Sequence, residues 1–138
     1  MKEYKVQLHK APGAYAMIVV AFLQLCLIYL ALRDIKEYWS LLLISFVFLG
    51  FVQFLGYYFL NIKVILDDGS IKVKKIDKLE VAKWEEITKV EKLMAVGAIR
   101  YIIRKKKGFL EFPDYVKDYE EILSEIEHRT GLKPKWGI

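Results

Sequence analysis

The chain has 138 residues, room for one domain of ordinary size, and its 55% hydrophobic content beside 28% charged residues excludes an evenly mixed soluble protein. The two residue classes must be segregated. A net charge of +5, opposed by acids throughout the second half, is too weak a footprint for nucleic-acid binding, and the single cysteine, Cys26, excludes an internal disulfide.

Residues 1–13 form a flank with three lysines, Lys2, Lys5 and Lys10. Residues 14–32, AYAMIVVAFLQLCLIYLAL, then carry no charge. As a helix they reach about 28 Å at 1.5 Å per residue, close to the thickness of bilayer hydrocarbon. A signal peptide is the competing reading. It is set aside because the apolar core is too long, no small-x-small site follows, and a second charge-free run comes next. That run, SLLLISFVFLGFVQFLGYYFL at residues 40–60, is separated from the first only by residues 33–39, so the two are expected to form an antiparallel transmembrane hairpin.

Lysine and arginine counts orient the hairpin. The flank has three, residues just after Leu60 have five (Lys63, Lys72, Lys74, Lys75, Lys78), and the link has two (Arg33, Lys36). Both termini are therefore expected on the cytoplasmic side of a multi-pass protein of the cytoplasmic membrane. Tyr15, Tyr38, Trp39, Tyr57 and Tyr58 stand where amphipathic rings anchor at interfaces. Inside the spans, Gln24 and Gln53 are the strongly polar side chains and are candidate intramembrane contacts, with each other, across an oligomer or with another membrane protein.

Residues 61–138 change period and hold 17 Lys or Arg against 14 Asp or Glu. Ile62, Val64 and Leu66 alternate, Asp67-Asp68-Gly69-Ser70 is a turn signal, and Ile71 and Val73 alternate with Lys72 and Lys74. Leu79 and Val81 continue the pattern to Trp84, a polar turn follows, and Ile87, Val90 and Leu93 begin the next strand. Ile99, Tyr101 and Ile103 make another, Lys105-Lys106-Lys107-Gly108 is its turn, and Phe109 to Phe112 returns until Pro113. From Asp118, or as early as Asp114, the spacing of Tyr119, Ile122, Leu123 and Ile126 predicts a helix. Asp118 and Glu121 have capping-box spacing and Gly131 supplies the stop. The expected fold class is α+β: a two-helix hairpin, then a one-face-wet antiparallel sheet capped by a C-terminal helix.

The hairpin VILDDGSIKVKK, the segment WEEITKV, the turn RKKKG, the strand end FLEFP and the helix YEEILSEIEHRTG together resemble bacterial pleckstrin-homology-like (PH-like) domains that follow two membrane helices. The resemblance covers nearly the whole chain. It implies a partly open, strongly bent antiparallel sheet that serves as a binding or assembly module, with Trp84 as a core or rim aromatic. PH domains that bind phosphoinositides carry basic residues on the first hairpin, and Lys63, Lys72 and Lys74 match that pattern loosely. Lysine stands where the final arginine belongs, and Asp67 and Asp68 lie in the loop, so specific headgroup recognition is not expected. Lys63, Lys72, Lys74 and Lys75, with Arg104, Lys105, Lys106 and Lys107, remain candidate contacts for anionic lipid or a protein partner.

The sequence holds no P-loop, G-x-G-x-x-G, G-x-S-x-G or H-E-x-x-H, and its histidines, His9 and His128, have no companions at metal-ligand spacing. No enzyme, metal or cofactor is expected. The expected function is a membrane-anchored module that scaffolds or recruits proteins at the cytoplasmic face, with membrane lipids, another protein or itself as partner. The alternatives are a small transport or channel component, an accessory subunit of a membrane complex, and an anionic-lipid sensor.

Overall fold

The computed structural model describes residues 1–95 and 97–137. It divides into two compact units, residues 13–60 and a second made of residues 1–12 with residues 61–138.

The first unit is a pair of helices, α1 (Pro12–Arg33) and α2 (Ile35–Leu60), both long and apolar enough to cross a membrane. Only Asp34 separates them. The sequence left residues 33–39 as a link because of their charges. Ile35, Lys36 and Glu37 instead open α2, and Tyr38 N–H donates to the Asp34 carbonyl at 3.2 Å. Charged side chains at a helix end remain solvated without breaking its backbone bonds, so charge alone did not mark the boundary. The helices are antiparallel, since Met17 meets Gly56 and Gln24 meets Gln53. Phe22, Tyr29, Phe48 and Phe51 are largely exposed, so the pairing leaves most of its apolar surface uncovered.

The second unit begins before the hairpin. Strand β1 (Lys2–Lys5) alternates with Val6 in the period of a sheet, with Tyr4 turned inward and buried. It pairs antiparallel with β2 (Lys63–Leu66), Lys2 opposite Leu66 through Lys5 opposite Lys63. The chain then runs as a meander through β3 (Ser70–Lys74) and β4 (Leu79–Lys83), giving a sheet in the order β1-β2-β3-β4. Thus residues 2–5, expected as a flank, form an edge strand of the sheet. Residues 115–117 border its outer side: Val6 bridges Val116, Gln7 N–H donates to the Tyr115 carbonyl at 2.8 Å, and Lys117 N–H to the Lys5 carbonyl at 2.7 Å.

A single 3-10 turn at Trp84–Glu86 leads into β5 (Ile87–Ala95), which meanders through β6 (Ala98–Lys105) and β7 (Phe109–Pro113). Helix α3 (Tyr119–Thr130) follows, and β8 (Lys135–Trp136) returns parallel to β5, so the second sheet has the order β7-β6-β5-β8. The architecture is α+β, with one antiparallel and one mixed sheet. β7 packs against β3 and β4. Alternating inward residues of both sheets meet α3 in one core: Val64, Ile71, Val73, Val90, Ile103, Leu110 and Phe112 pack with Ile122 and Ile126, all at most 1% exposed.

α3 starts where expected, immediately after Asp118, but without the expected cap. Asp118 precedes it in the left-handed region (φ 54°), and its side chain makes no cap bond. Its backbone carbonyl accepts the Glu121 N–H at 2.9 Å instead, so the capping box does not form. Glu121 is engaged elsewhere, with Lys2 at 2.7 Å. Gly131 ends the helix as expected, at φ 73° with its N–H on the Glu127 carbonyl.

Candidate interaction surfaces

The sheet unit has two ends, defined by its own strands. At the stem end, β1 finishes and β2 starts, so Lys5, Lys63 and Lys74 lie side by side in one cross-strand row. At the far end lie the β2–β3 turn, the Trp84–Glu86 turn and the β6–β7 turn, the last two joined by Lys106 N–H on the Glu86 carbonyl at 3.2 Å. β6 alone separates its two ends by about 23 Å at 3.3 Å per residue.

The basic candidates therefore divide. Lys63 and Lys74 stand at the stem end, while Arg104, Lys105, Lys106 and Lys107 stand at the far end. That separation exceeds the Debye length of about 8 Å at physiological ionic strength, so one flat charged surface cannot engage both groups at close range. Half of the eight are also committed internally. Lys72 pairs with Asp67 at 3.0 Å, Lys75 lies 3.4 Å from Glu80, Arg104 Nε donates to Glu91 at 2.6 Å, and Lys105 Nζ donates to the Val81 carbonyl at 2.6 Å. Lys63, Lys74, Lys106 and Lys107 make no ion pair among the described residues. The register sets Lys63 directly opposite both Lys5 and Lys74 with no acid in that row, whereas Lys72 reaches Asp67 in the adjoining turn and Arg104 reaches Glu91 diagonally.

Asp67 shows what holds the far end. Lys72 first, then the Gly69 and Ser70 amides and the Ser70 hydroxyl, lower its pKa from 3.8 to about 2. A carboxylate depressed in the folded state stabilises fully above its unfolded value and ceases to do so as pH falls through its folded value. Asp67→Asn is therefore expected to flatten the loss of thermal midpoint between about pH 4 and pH 2 that the parent shows. An unchanged slope would exclude this contribution.

Glu91 is buried on the outer face of β5 between Lys89 at 2.7 Å and Arg104, and these two cations, Lys89 first, lower its pKa. On the opposite side, burial pushes the Tyr101 phenol up to about 12 where it stacks on Phe112 and on Tyr119 of α3.

A cleft of about 180 Å³ lies between β1, the β2–β3 turn and α3, lined by Lys2, Tyr4, Asp67, Glu121, Glu125 and Arg129. It is smaller than the roughly 300–1,000 Å³ of small-molecule sites. Its acids have cations already: Glu121 with Lys2, Glu125 with Arg129 at 2.6 Å, and Asp67 with Lys72. Among the described residues no group of three or more His, Cys, Asp or Glu side chains is arranged to hold a metal.

In the helical unit, Gln53 Nε2 donates to Gln24 Oε1 at 3.0 Å. The long amide side chains close a difference in depth that helix rise alone leaves open. Gln24→Leu strands the Gln53 amide and is expected to cost the hairpin about 0.6–2 kcal/mol in micelle unfolding assays, with part recovered in the Gln24→Leu/Gln53→Leu pair. Equal stability of all three chains would show that the bond contributes nothing.

The outer edge of β4 is a surface that sequence patterning did not single out. β1 is bordered by residues 115–117 and β5 by β8, whereas the backbone of β4 meets Lys105 Nζ at Val81. Along it and the turn before it, Ile76 (49%), Leu79 (54%) and Val81 (36%) are exposed. Among the described residues no strand pairs with this edge; an edge strand flanked by apolar side chains accepts another strand, and the lysines beside it, Lys74, Lys78 and Lys83, are the usual protection of such an edge. Comparison with models of known protein families and with curated protein sequences finds no match.

Proposed function

We propose that this protein is a membrane-anchored, non-enzymatic binding module: a PH-like domain carrying a transmembrane hairpin between its first and second strands, which recruits or scaffolds proteins at the cytoplasmic face. The pairing of β1 with β2 carries this reading. It ties the residues before α1 and those after α2 into one sheet, so the hairpin must leave and return on the same side. The Lys and Arg distribution favours the cytoplasmic side. A four-strand meander, a three-strand meander and a C-terminal helix, in that order, support the PH-like resemblance. The β4 edge supplies the physical route to a protein partner, by strand addition with Ile76, Leu79 and Val81 as apolar contacts.

Photo-crosslinking in native membranes tests this reading. A crosslinker at Leu79 is expected to yield one discrete adduct that Val81→Asp suppresses, while the same group at Glu120 on α3 does not yield it. Equal background labelling from both positions would contradict the β4 assignment.

A second reading, contact with anionic lipid, is favoured by the row Lys5, Lys63 and Lys74. These like charges are directly opposed without acidic partners among the described residues, and Lys63 follows Leu60 by at most about 11 Å of chain. It predicts amide protection of β2 and β3 in anionic nanodiscs that zwitterionic nanodiscs or high salt remove. The mutual bond of Gln24 and Gln53 supports a packing role for the hairpin over a polar conduction path.

A further inference from the structure

Hairpin tips in soluble sheets are normally polar, yet residues 93–99, LMAVGAI, carry no charged or hydrogen-bonding side chain. Residues 93–95 end β5 and residues 98–99 begin β6, at the tip of the longest β-hairpin among the described residues. Met94 is 67% exposed there. Trp136 of β8 lies beside it, opposite Lys92 in register and 59% exposed, and Gly137 approaches so closely that a Cβ would stand 2.8 Å from the Leu93 side chain. Gly97, in the left-handed region at φ 75°, has its Cβ position 3.9 Å from Pro12, the residue of the same unit that leads into α1. Ala11 and Ala98 are buried in the same region.

The apolar tip and its tryptophan are thus presented where the chain passes into α1. Cations flank them: Lys92 Nζ lies 4.7 Å over the Trp136 ring, and Lys10 and Lys135 are exposed. An aromatic ring with adjacent lysines, beside a small apolar projection, is the composition that partitions into a bilayer interface.

We propose that the β5–β6 tip and Trp136 form a second membrane contact, inserting at interfacial depth beside the start of α1. The occupant is the bilayer itself, and continuity with α1 selects it over a soluble partner. This inference rests on the reading of α1 and α2 as membrane-spanning. It gives the short β8 strand a role: by pairing with β5 it holds Trp136 next to the tip.

The test uses the full chain in liposomes with doxyl-labelled lipids as quenchers. One protein carries an environment-sensitive fluorophore on native Cys26. Two others carry it at Met94→Cys or at Lys107→Cys, each in a Cys26→Ser background. The expected result is a blue-shifted label at position 94 quenched most by shallow doxyl lipids, a label at Cys26 quenched most by deep ones, and an unquenched label at position 107. A quenched Cys26 label with an unquenched label at position 94 would overturn this inference and leave the spanning hairpin intact. Labels unquenched at both would overturn both. Equal quenching at 94 and 107 would also overturn the inference, because the tip would then have no special place.

Discussion

A chain reduced to residues 61–138 is expected to lose cooperative unfolding, and joining residues 1–12 to it through a short Gly/Ser linker is expected to restore it. The shortened chain lacks β1, so β2 loses its ladder partner and becomes the sheet edge. It also lacks Tyr4, 6% exposed, and Ala11, fully buried. Removing a large buried aromatic costs about 3–5 kcal/mol, and small domains hold only about 5–15 kcal/mol in all. The loss of one edge strand is therefore comparable with the whole stability. Urea titration followed by circular dichroism reads the difference. Equal midpoints for the two chains would make β1 an ornament on a domain that folds without it.

Trp84→Ala is expected to produce the largest effect of any single substitution on the far side of the molecule, about 3–5 kcal/mol. Trp84 is 8% exposed, its indole N–H donates to the Asp67 carbonyl at 3.1 Å, and Arg129 stacks over its ring at 5.3 Å. Arg129 also donates to the Asp68 carbonyl at 2.9 Å. One ring thus joins the β2–β3 turn, the turn after β4 and the end of α3. Trp84→Phe keeps most of the apolar contact and loses the N–H donor, so a smaller loss of about 1–3 kcal/mol is expected from the unpaired carbonyl. Both shift the denaturation midpoint at constant slope. A Trp84→Ala chain as stable as the parent would move this residue from the core to a contact surface.

Much of this arrangement is legible in the residues. The alternation of Val64 and Leu66, of Ile71 and Val73, and of Tyr101 and Ile103 marks strands with one dry face, and Ile122 and Ile126 mark the buried side of α3. The segment KLEVAKWEEITKVEK resolves as a strand, a short turn and a strand, as its pattern implies. What was hidden depends on partners distant in sequence. β1 is four residues whose lysines read as a juxtamembrane flank, and its partner lies beyond the entire hairpin. The alternation of Tyr4 and Val6 was the available signal. β8 is too short to have a period, and only the backbone of β5 makes it a strand. Composition also pooled the basic residues. The structure separates them, because Asp67, Glu80 and Glu91 neutralise some and strand register sends Lys63 and Lys74 to one end, Lys106 and Lys107 to the other.

The central claim is that one sheet brackets the hairpin, with β1 and β2 in the stated register. Cysteine crosslinking in the full-length protein tests it directly, in a Cys26→Ser background. Directly opposed residues of an antiparallel pair have Cα atoms about 4.5–5.5 Å apart, within disulfide reach. Glu3→Cys with Ile65→Cys, opposed in the ladder, is expected to oxidise rapidly in native membranes, whereas Glu3→Cys with Leu79→Cys, three strands away, is not. Equal oxidation of the two pairs, or none in either, would contradict a domain closed by its own N-terminal strand.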